Sequence, residues 1–326
     1  MGAEAPSRIK LLLAFAAIYV LWGSTYLAIR LAIDTLPPFL MAGARFLIAG
    51  SILFALSTRQ PGPRPTGRQW WNAAIAAVPL FVIGNGGVTW AEQAIPSGAA
   101  ALIIATLPAW LLLLDWVYGG RTGPRLIEVL GIGFGLVGVA TLSAPGGIDP
   151  VGVVVLLVAA VAWAVGSLFN RYAHLPASPV LTSGMQMLAG GVIMVAVGLA
   201  LGEGGRLDLG NVSGRSIAAV LYLVAVAVVA LPAYTWLLSV TSPALVGTYA
   251  FVNPVVAVLL GWAALGEAVT ERTALAAVLV VSGVMLLVWP RPRPAPRPAI
   301  AATSETECVV GIGSEGGEGG GTGRER

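Results

Sequence analysis

Apolar residues fill whole blocks along this chain, each close to the ~20 residues that a membrane-spanning helix needs. The pattern predicts helices near 10–29, 38–57, 70–92, 97–119 and 125–143, then near 150–170, 179–201, 215–238, 243–265 and 272–289. Short segments carrying Pro, Gly or charge separate them: Asp34 to Pro38, Thr58 to Gln69, Ile95 to Ser97, and Gly202 to Gly214. The first apolar run follows Arg8 and Lys10 as a signal peptide would, but it extends from Leu11 to Ile29. That exceeds the 7–15 residues of a signal core, so it reads as a retained first helix.

The chain also matches itself. At an offset of 141, Trp22 meets Trp163, Arg30 meets Arg171 and Pro38 meets Pro179, while Gly43, Leu47 and Gly50 meet Gly184, Leu188 and Gly191. Beyond the 202–214 connection the offset becomes 146, where Thr89-Trp90 meets Thr235-Trp236 and Pro108 meets Pro254. Each half holds five spans. Consecutive copies with an odd number of spans insert in opposite orientation, which is the inverted-repeat architecture of many secondary transporters. The expected fold is therefore an all-α polytopic membrane protein: ten transmembrane helices as two inverted five-helix repeats, residues 10–143 and 150–289. From Pro290 the composition changes to Arg-Pro repeats and then to Gly and Glu. Such a segment cannot bury a core, so 290–326 is expected to be a disordered cytoplasmic tail.

Composition supports this reading. Of 326 residues 57% are apolar and 10% charged, with mean hydropathy +0.87; a soluble domain carries about 25% charged residues. Net charge is only +3, which gives nucleic acid no basic surface to bind. One cysteine, Cys308, and one histidine, His174, leave no disulfide framework and no His- or Cys-based metal site; no cofactor is expected. With the N-terminus inside, thirteen basic residues fall on the inner side and Arg30, Arg206, Arg215 and Arg272 on the outer side. The positive-inside bias thus places both termini in the cytoplasm of a cell in whose membrane the chain is multi-pass.

Few polar groups lie within the spans, and each calls for a partner or a wet cavity. Arg45 sits about seven residues into the second helix, roughly 10 Å deep, and Glu92 ends the third helix on the same side. They form a candidate outer gate, with Arg45 holding a substrate carboxylate or pairing with Glu92; an interfacial ion pair that fixes helix packing is the alternative. The repeat counterpart of Arg45 is the neutral Gln186. Asn85, Thr89 and Glu92 share one face of helix three, and Tyr249 and Asn253 one face of helix nine. Thr106 and Trp110 do the same on helix four. Pro108 and Pro254 fall near the midplane, where a missing N–H and a ring clash are expected to break the helix and free the Ile104 and Ala250 carbonyls. Trp22, Trp110 and Trp163 lie too deep for an aromatic belt, so they either wall a substrate or fill helix contacts. Gly131 and Gly135 give a close-packing surface. Asp115, Glu128 and Glu267 read as locally paired with Arg121, Arg125 and Arg272.

The motifs resemble a known family. Leu21-Trp22-Gly23-Ser24-Thr25-Tyr26, Ala44-Arg45-Phe46 and Trp90-Ala91-Glu92-Gln93-Ala94-Ile95-Pro96-Ser97-Gly98 stand in the first half. Tyr249 to Gly261 and Leu265-Gly266-Glu267 stand in the second. Across about residues 10–289 the chain resembles the EamA-type transporters of the drug/metabolite transporter superfamily, in the YedA-like branch. Asp115 and Arg121 replace the Gly-Glu that often closes the fourth helix. The resemblance implies a ten-helix bundle whose central cavity is lined by helices 3, 4, 8 and 9, with helices 5 and 10 outside it. It also implies export of small organic solutes.

The function expected is a secondary transporter in the cytoplasmic membrane, exporting small organic metabolites such as amino acids by alternating access. The alternative is a broad multidrug exporter. No phosphate-binding loop is present, so a proton or substrate gradient supplies the energy, and Glu92 is the proton-carrier candidate. An intramembrane enzyme lacks its parts: no His-Glu-x-x-His helix and no pair of facing aspartates. Partners are the small-molecule substrate and membrane lipid.

Overall fold

The structure, a computed structural model, describes residues 7–59, 62–118, 123–144, 147–241 and 243–288. Arg121, Trp289, Cys308 and the 290–326 tail lie outside the described residues. Ten membrane helices follow: α1 Arg8–Ala32, α2 Pro38–Thr58, α3 Gly67–Ala91, α4 Ser97–Tyr118, α5 Leu126–Leu142, α6 Pro150–Tyr172, α7 Pro179–Ala200, α8 Gly214–Val240, α9 Tyr249–Leu265 and α10 Glu271–Val288. Eight contain a stretch long and apolar enough to cross a membrane, and α5 and α9 are shorter apolar helices.

Local chemistry sets the helix starts. Thr66 and Gln69 form a capping box at α3. Asp149, Ser178 and Ser213 each accept a backbone N–H at the starts of α6, α7 and α8, as short oxygen-bearing side chains do. Proline opens α2, α6 and α7, where its absent N–H costs nothing.

Helix pairing repeats the sequence duplication. α2 packs on α7, α4 on α9 and α5 on α10, so each of these six helices meets its own counterpart. Other contacts come as exchanged pairs: α1 with α8 matches α6 with α3, and α1 with α9 matches α6 with α4. A two-fold relation between five-helix halves produces this pattern. Glycine makes the self-pairs possible. A Cβ on Gly43 would stand 3.0 Å from the Gly191 carbonyl, and one on Gly50 3.0 Å from that of Gly184. On α5 and α10, a Cβ on Gly131 would stand 2.8 Å from the Gly283 oxygen, so the small-residue face of α5 is a helix contact.

Departures from regular helix concentrate in α1, α3, α4 and α9. α1 contains a π-helical segment, Ala17–Leu21, and a turn at Ser24; α3 contains a second, Val78–Asn85. α4 opens at Ala105–Thr106, just before Pro108, where Thr106 and Ala109 donate three residues back, to Ile103 and Thr106. The break expected at Pro254 is displaced. Pro254 lies inside the continuous Tyr249–Leu265, and the chain opens instead at Gly247–Thr248, between Pro243–Val246 and α9. There Ala250 and Phe251 donate to Gly247 and Thr248, and this tightened turn precedes the carbonyl that the proline ring crowds.

Candidate functional site

Two of the irregular helices, α1 and α9, meet α8 at an aromatic cluster. The Trp22 ring of α1 lies 5.3 Å from Tyr234 of α8 and 5.0 Å from Tyr249, and the two tyrosines are 6.0 Å apart. Edge-to-face and tilted contacts of this kind suit aromatic quadrupoles. All three rings are half-buried. Tyr19, on the π-helical turn of α1, hydrogen-bonds through its hydroxyl to Thr248. With its amide nitrogen turned toward them, Asn253 donates to the carbonyls of Tyr249 and Tyr19, each at 3.2 Å. A π-turn adds a residue to the helix and swings the following side chains off their regular face, which here brings Tyr19 onto α9.

The remaining sequence candidates fall into separate groups. Arg45 is 5% exposed; its guanidinium donates to Asn85 Oδ1 at 3.3 Å and lies 4.5 Å from the Phe46 ring. It makes no ion pair with Glu92. Asn85 and Glu92 are two helical turns apart, about 10 Å along α3, and Arg45 reaches the deeper one. Thr89 is fully buried, but its hydroxyl donates to the Asn85 carbonyl within its own helix. Gln186 donates to Asn170 Oδ1 at 2.8 Å, joining α7 to α6. Trp110 donates to Thr106 Oγ1 at 3.2 Å, and Trp163 packs half-buried near Leu80 and Phe81. Trp22, Tyr249 and Asn253 are therefore brought together, as are Arg45 and Asn85; Trp163 packs beside Gly84, next to Asn85, while Trp110 and Gln186 bond to Thr106 and Asn170.

Two carboxylates, Glu267 and Glu203, do work the sequence did not disclose. Glu267 accepts from the backbone N–H groups of Ser97 at 2.8 Å and Gly98 at 3.2 Å, so the end of α9 caps the start of α4. Glu203 accepts from Leu40 at 2.9 Å and Phe39 at 3.3 Å, and the residues after α7 thereby cap α2. Glycines leave room for both: a Cβ on Gly261 would strike the Glu267 carboxylate, and one on Gly198 would lie 3.0 Å from Glu203 Oε2. Glu128 caps its own helix and pairs with Arg125 at 3.2 Å. Asp115 pairs at 3.1 Å with Arg171 of α6. Tyr234, Glu203 and the Glu267 cap were missed because their partners lie far along the chain and leave no local spacing to read.

Burial divides α4 into two halves. Every residue from Ser97 to Thr106 in α4 is buried, whereas among Leu107–Tyr118 only Ala109 is. A cleft of about 540 Å³ opens at the outer rim between α4, α9 and α10, and another of about 300 Å³ is lined by Arg30, Asp34, Arg215 and Glu267. Neither reaches Pro108 or Pro254. Both are rim features, and the half-buried aromatic faces below them form the candidate site.

Two stretches, residues 9–144 and 150–289, match the EamA-like transporter family. The chain belongs to that family. It is 38% identical over 278 residues to the uncharacterized inner membrane transporter YedA of Escherichia coli (strain K12), covering 84% of this chain and 89% of that protein. It is 26% identical over 195 residues to the uncharacterized transporter YvbV of Bacillus subtilis (strain 168), covering 59% and 63%. A solved structure with 22% sequence identity superposes with a TM-score of 0.60 over 87% of this chain and 98% of that one, so the fold is shared. This EamA-family chain is a multi-pass membrane transporter of the cytoplasmic membrane.

Proposed function

We propose that the protein exports small organic metabolites, amino acids and related compounds among them, by alternating access. The observation that carries this reading is the meeting of two irregular helices, α1 and α9, with α8 in the half-buried Trp22–Tyr234–Tyr249 cluster, while Ser97 to Thr106 of α4 are all buried. Broken helices are where repeat-built transporters place their substrate, and an outer half of α4 that is buried while the inner half is half-exposed suits loading from the cytoplasm. The aromatic faces offer stacking to an apolar or aromatic side chain. Arg45 offers a carboxylate anchor: it is buried, its Nε has no hydrogen-bond partner, and its contact with Asn85 is long.

A broad multidrug exporter is the second reading, favoured by three aromatic rings with no charged group among them. Counterflow by the purified protein in liposomes tests both, against a panel of amino acids and lipophilic cations. Uptake confined to a few amino acids supports the metabolite exporter. Uptake spread over unrelated lipophilic cations supports the second reading and removes the anchoring role of Arg45. Exchange of no member of the panel refutes both.

A further inference from the structure

Glu92 is the charged side chain that the architecture leaves unexplained. It ends α3 with no exposed surface, and neither carboxylate oxygen has a hydrogen-bond partner. Its backbone is well used, since Arg30 Nη1 donates to the Glu92 carbonyl at 2.7 Å and to that of Gln93 at 3.2 Å. The side chain accepts no hydrogen bond from that arginine. Other groups act on it through space: Tyr26 and Arg30 from α1, Arg45 from α2 and Glu267 beyond α9. On the α6 side Gly152 packs against Ile95, with the Asp149 carboxylate beside it accepting from the Gly152 N–H at 2.9 Å, and Val155 and Ala159 face Gly87. A buried anion with no donor is costly, by more than an unpaired neutral group. A packing residue would be neutral or paired, as Glu203, Glu128 and Glu267 are.

The location adds a second observation. The 300 Å³ cleft at the outer rim is lined by Arg30, Asp34, Arg215 and Glu267, together with Ala94, Ile95 and Pro96 that immediately follow Glu92. The cleft thus lies within two residues of Glu92 along the chain and is lined by charged groups, while Glu92 itself is buried and does not line it.

We infer that Glu92 is the proton-binding site through which this transporter couples export to the proton gradient, loaded from the outer face through the cleft floored by Glu267. A hydronium ion in the cleft gives its proton to a Glu92 oxygen, forming an O–H bond and leaving water. When the outer end closes, the acid is sealed in as the neutral form, which the donor-free pocket accepts. When the bundle opens inward, cytoplasmic water takes the proton back and the carboxylate is restored. One proton moves inward and nothing is oxidised or reduced. The inference rests on the export reading for the direction of coupling, but the proton site itself does not.

Infrared spectroscopy of the purified full chain in lipid tests the site without any substrate. At neutral pH the wild-type minus Glu92→Gln difference spectrum is expected to show the carbonyl stretch of a protonated carboxylic acid, and Glu267→Gln is expected to keep it. Absence of that band from the difference spectrum overturns the inference. Coupling is read in liposomes with radiolabelled leucine, threonine and tetraphenylphosphonium as probes and the interior made acidic. For one-for-one exchange each pH unit sustains up to about a tenfold gradient. The wild type is expected to concentrate any probe it exchanges several-fold. Glu92→Gln brings that ratio to one, whatever its rate, and Glu92→Asp restores part of it. A ratio of one in the wild type for a probe that does exchange also overturns the coupling. If no probe exchanges, the export reading fails, and the infrared band still judges the proton site.

Discussion

Removing the carboxylate that joins α9 to α4 is expected to destabilise the bundle in a way that a neighbouring glycine reproduces. Glu267→Ala leaves the N–H groups of Ser97 and Gly98, now held at 2.8 and 3.2 Å, without their acceptor. Loss of a helix N-cap costs ~0.5–2 kcal/mol and an orphaned buried donor ~1–3 kcal/mol. The two describe the same contact and do not add, so about 2 kcal/mol is expected. Gly261→Ala attacks that contact from the other side. Its Cβ would strike the Glu267 carboxylate and stand 2.9 Å from Ser97 Oγ, displacing the cap while gaining about 1 kcal/mol of helix propensity. In the double variant the methyl group meets no carboxylate. It should therefore be no less stable than Glu267→Ala alone, and the cycle returns a coupling of about 2 kcal/mol. Melting of the detergent-purified protein at one scan rate is the assay, at roughly 2 °C per kcal/mol for a chain of this length. Additive losses would show that Gly261 and Glu267 act independently and that the cap is not what the glycine protects.

Gly50→Ala, whose Cβ would stand 2.9 Å from the Leu188 nitrogen, should lower the melting temperature by a net ~1–2 kcal/mol equivalent. Gly133→Ala, with nothing within 4 Å of its Cβ, should be neutral or stabilising; equal effects would refute the close contact of α2 and α7. Arg45→Ala should weaken exchange of anionic and zwitterionic probes at least about tenfold more than that of cations, a difference of ~1.4 kcal/mol for a charge-assisted hydrogen bond. Equal losses in counterflow across charges would assign Arg45 to packing. Tyr249→Ala and Trp22→Ala should each raise the half-saturation concentration in counterflow about five- to tenfold, the worth of an aromatic contact, with Trp163→Ala changing it little. A reversal of that order would move the site toward α6.

Much of the architecture was legible because a bilayer demands long apolar blocks, and ten of them stand in the sequence. The duplication was legible in glycines: Gly43, Gly50, Gly184 and Gly191, related by a fixed offset, are the residues that let α2 and α7 touch. Arg45 and Asn85 stood out as rare polar groups within spans, but their mutual contact did not, because it depends on how two helices are rotated. The π-helical turn at Ala17–Leu21 carries no proline or glycine to announce it, whereas that at Val78–Asn85 opens on Pro79, whose missing N–H disrupts a regular helix. Glu267 reads in the sequence as locally paired with Arg272; its engagement instead with a helix start 170 residues away has no local signature. Tyr234 was passed over for a similar reason, since only the fold sets it beside Trp22 and Tyr249.

The paired caps by Glu203 and Glu267 also bear on how the chain is made. Synthesis runs from the N-terminus, so α2 and α4 enter the membrane while the residues that satisfy their first N–H groups are still to be translated. Until Glu203 emerges, Phe39 and Leu40 must keep their N–H groups in water or among lipid headgroups, and Ser97 and Gly98 must wait longer still for Glu267. The first five helices are therefore inserted before they are locked, and the last turns of the second half complete them. An N-terminal half made alone carries two helix starts whose carboxylate caps belong to the other half.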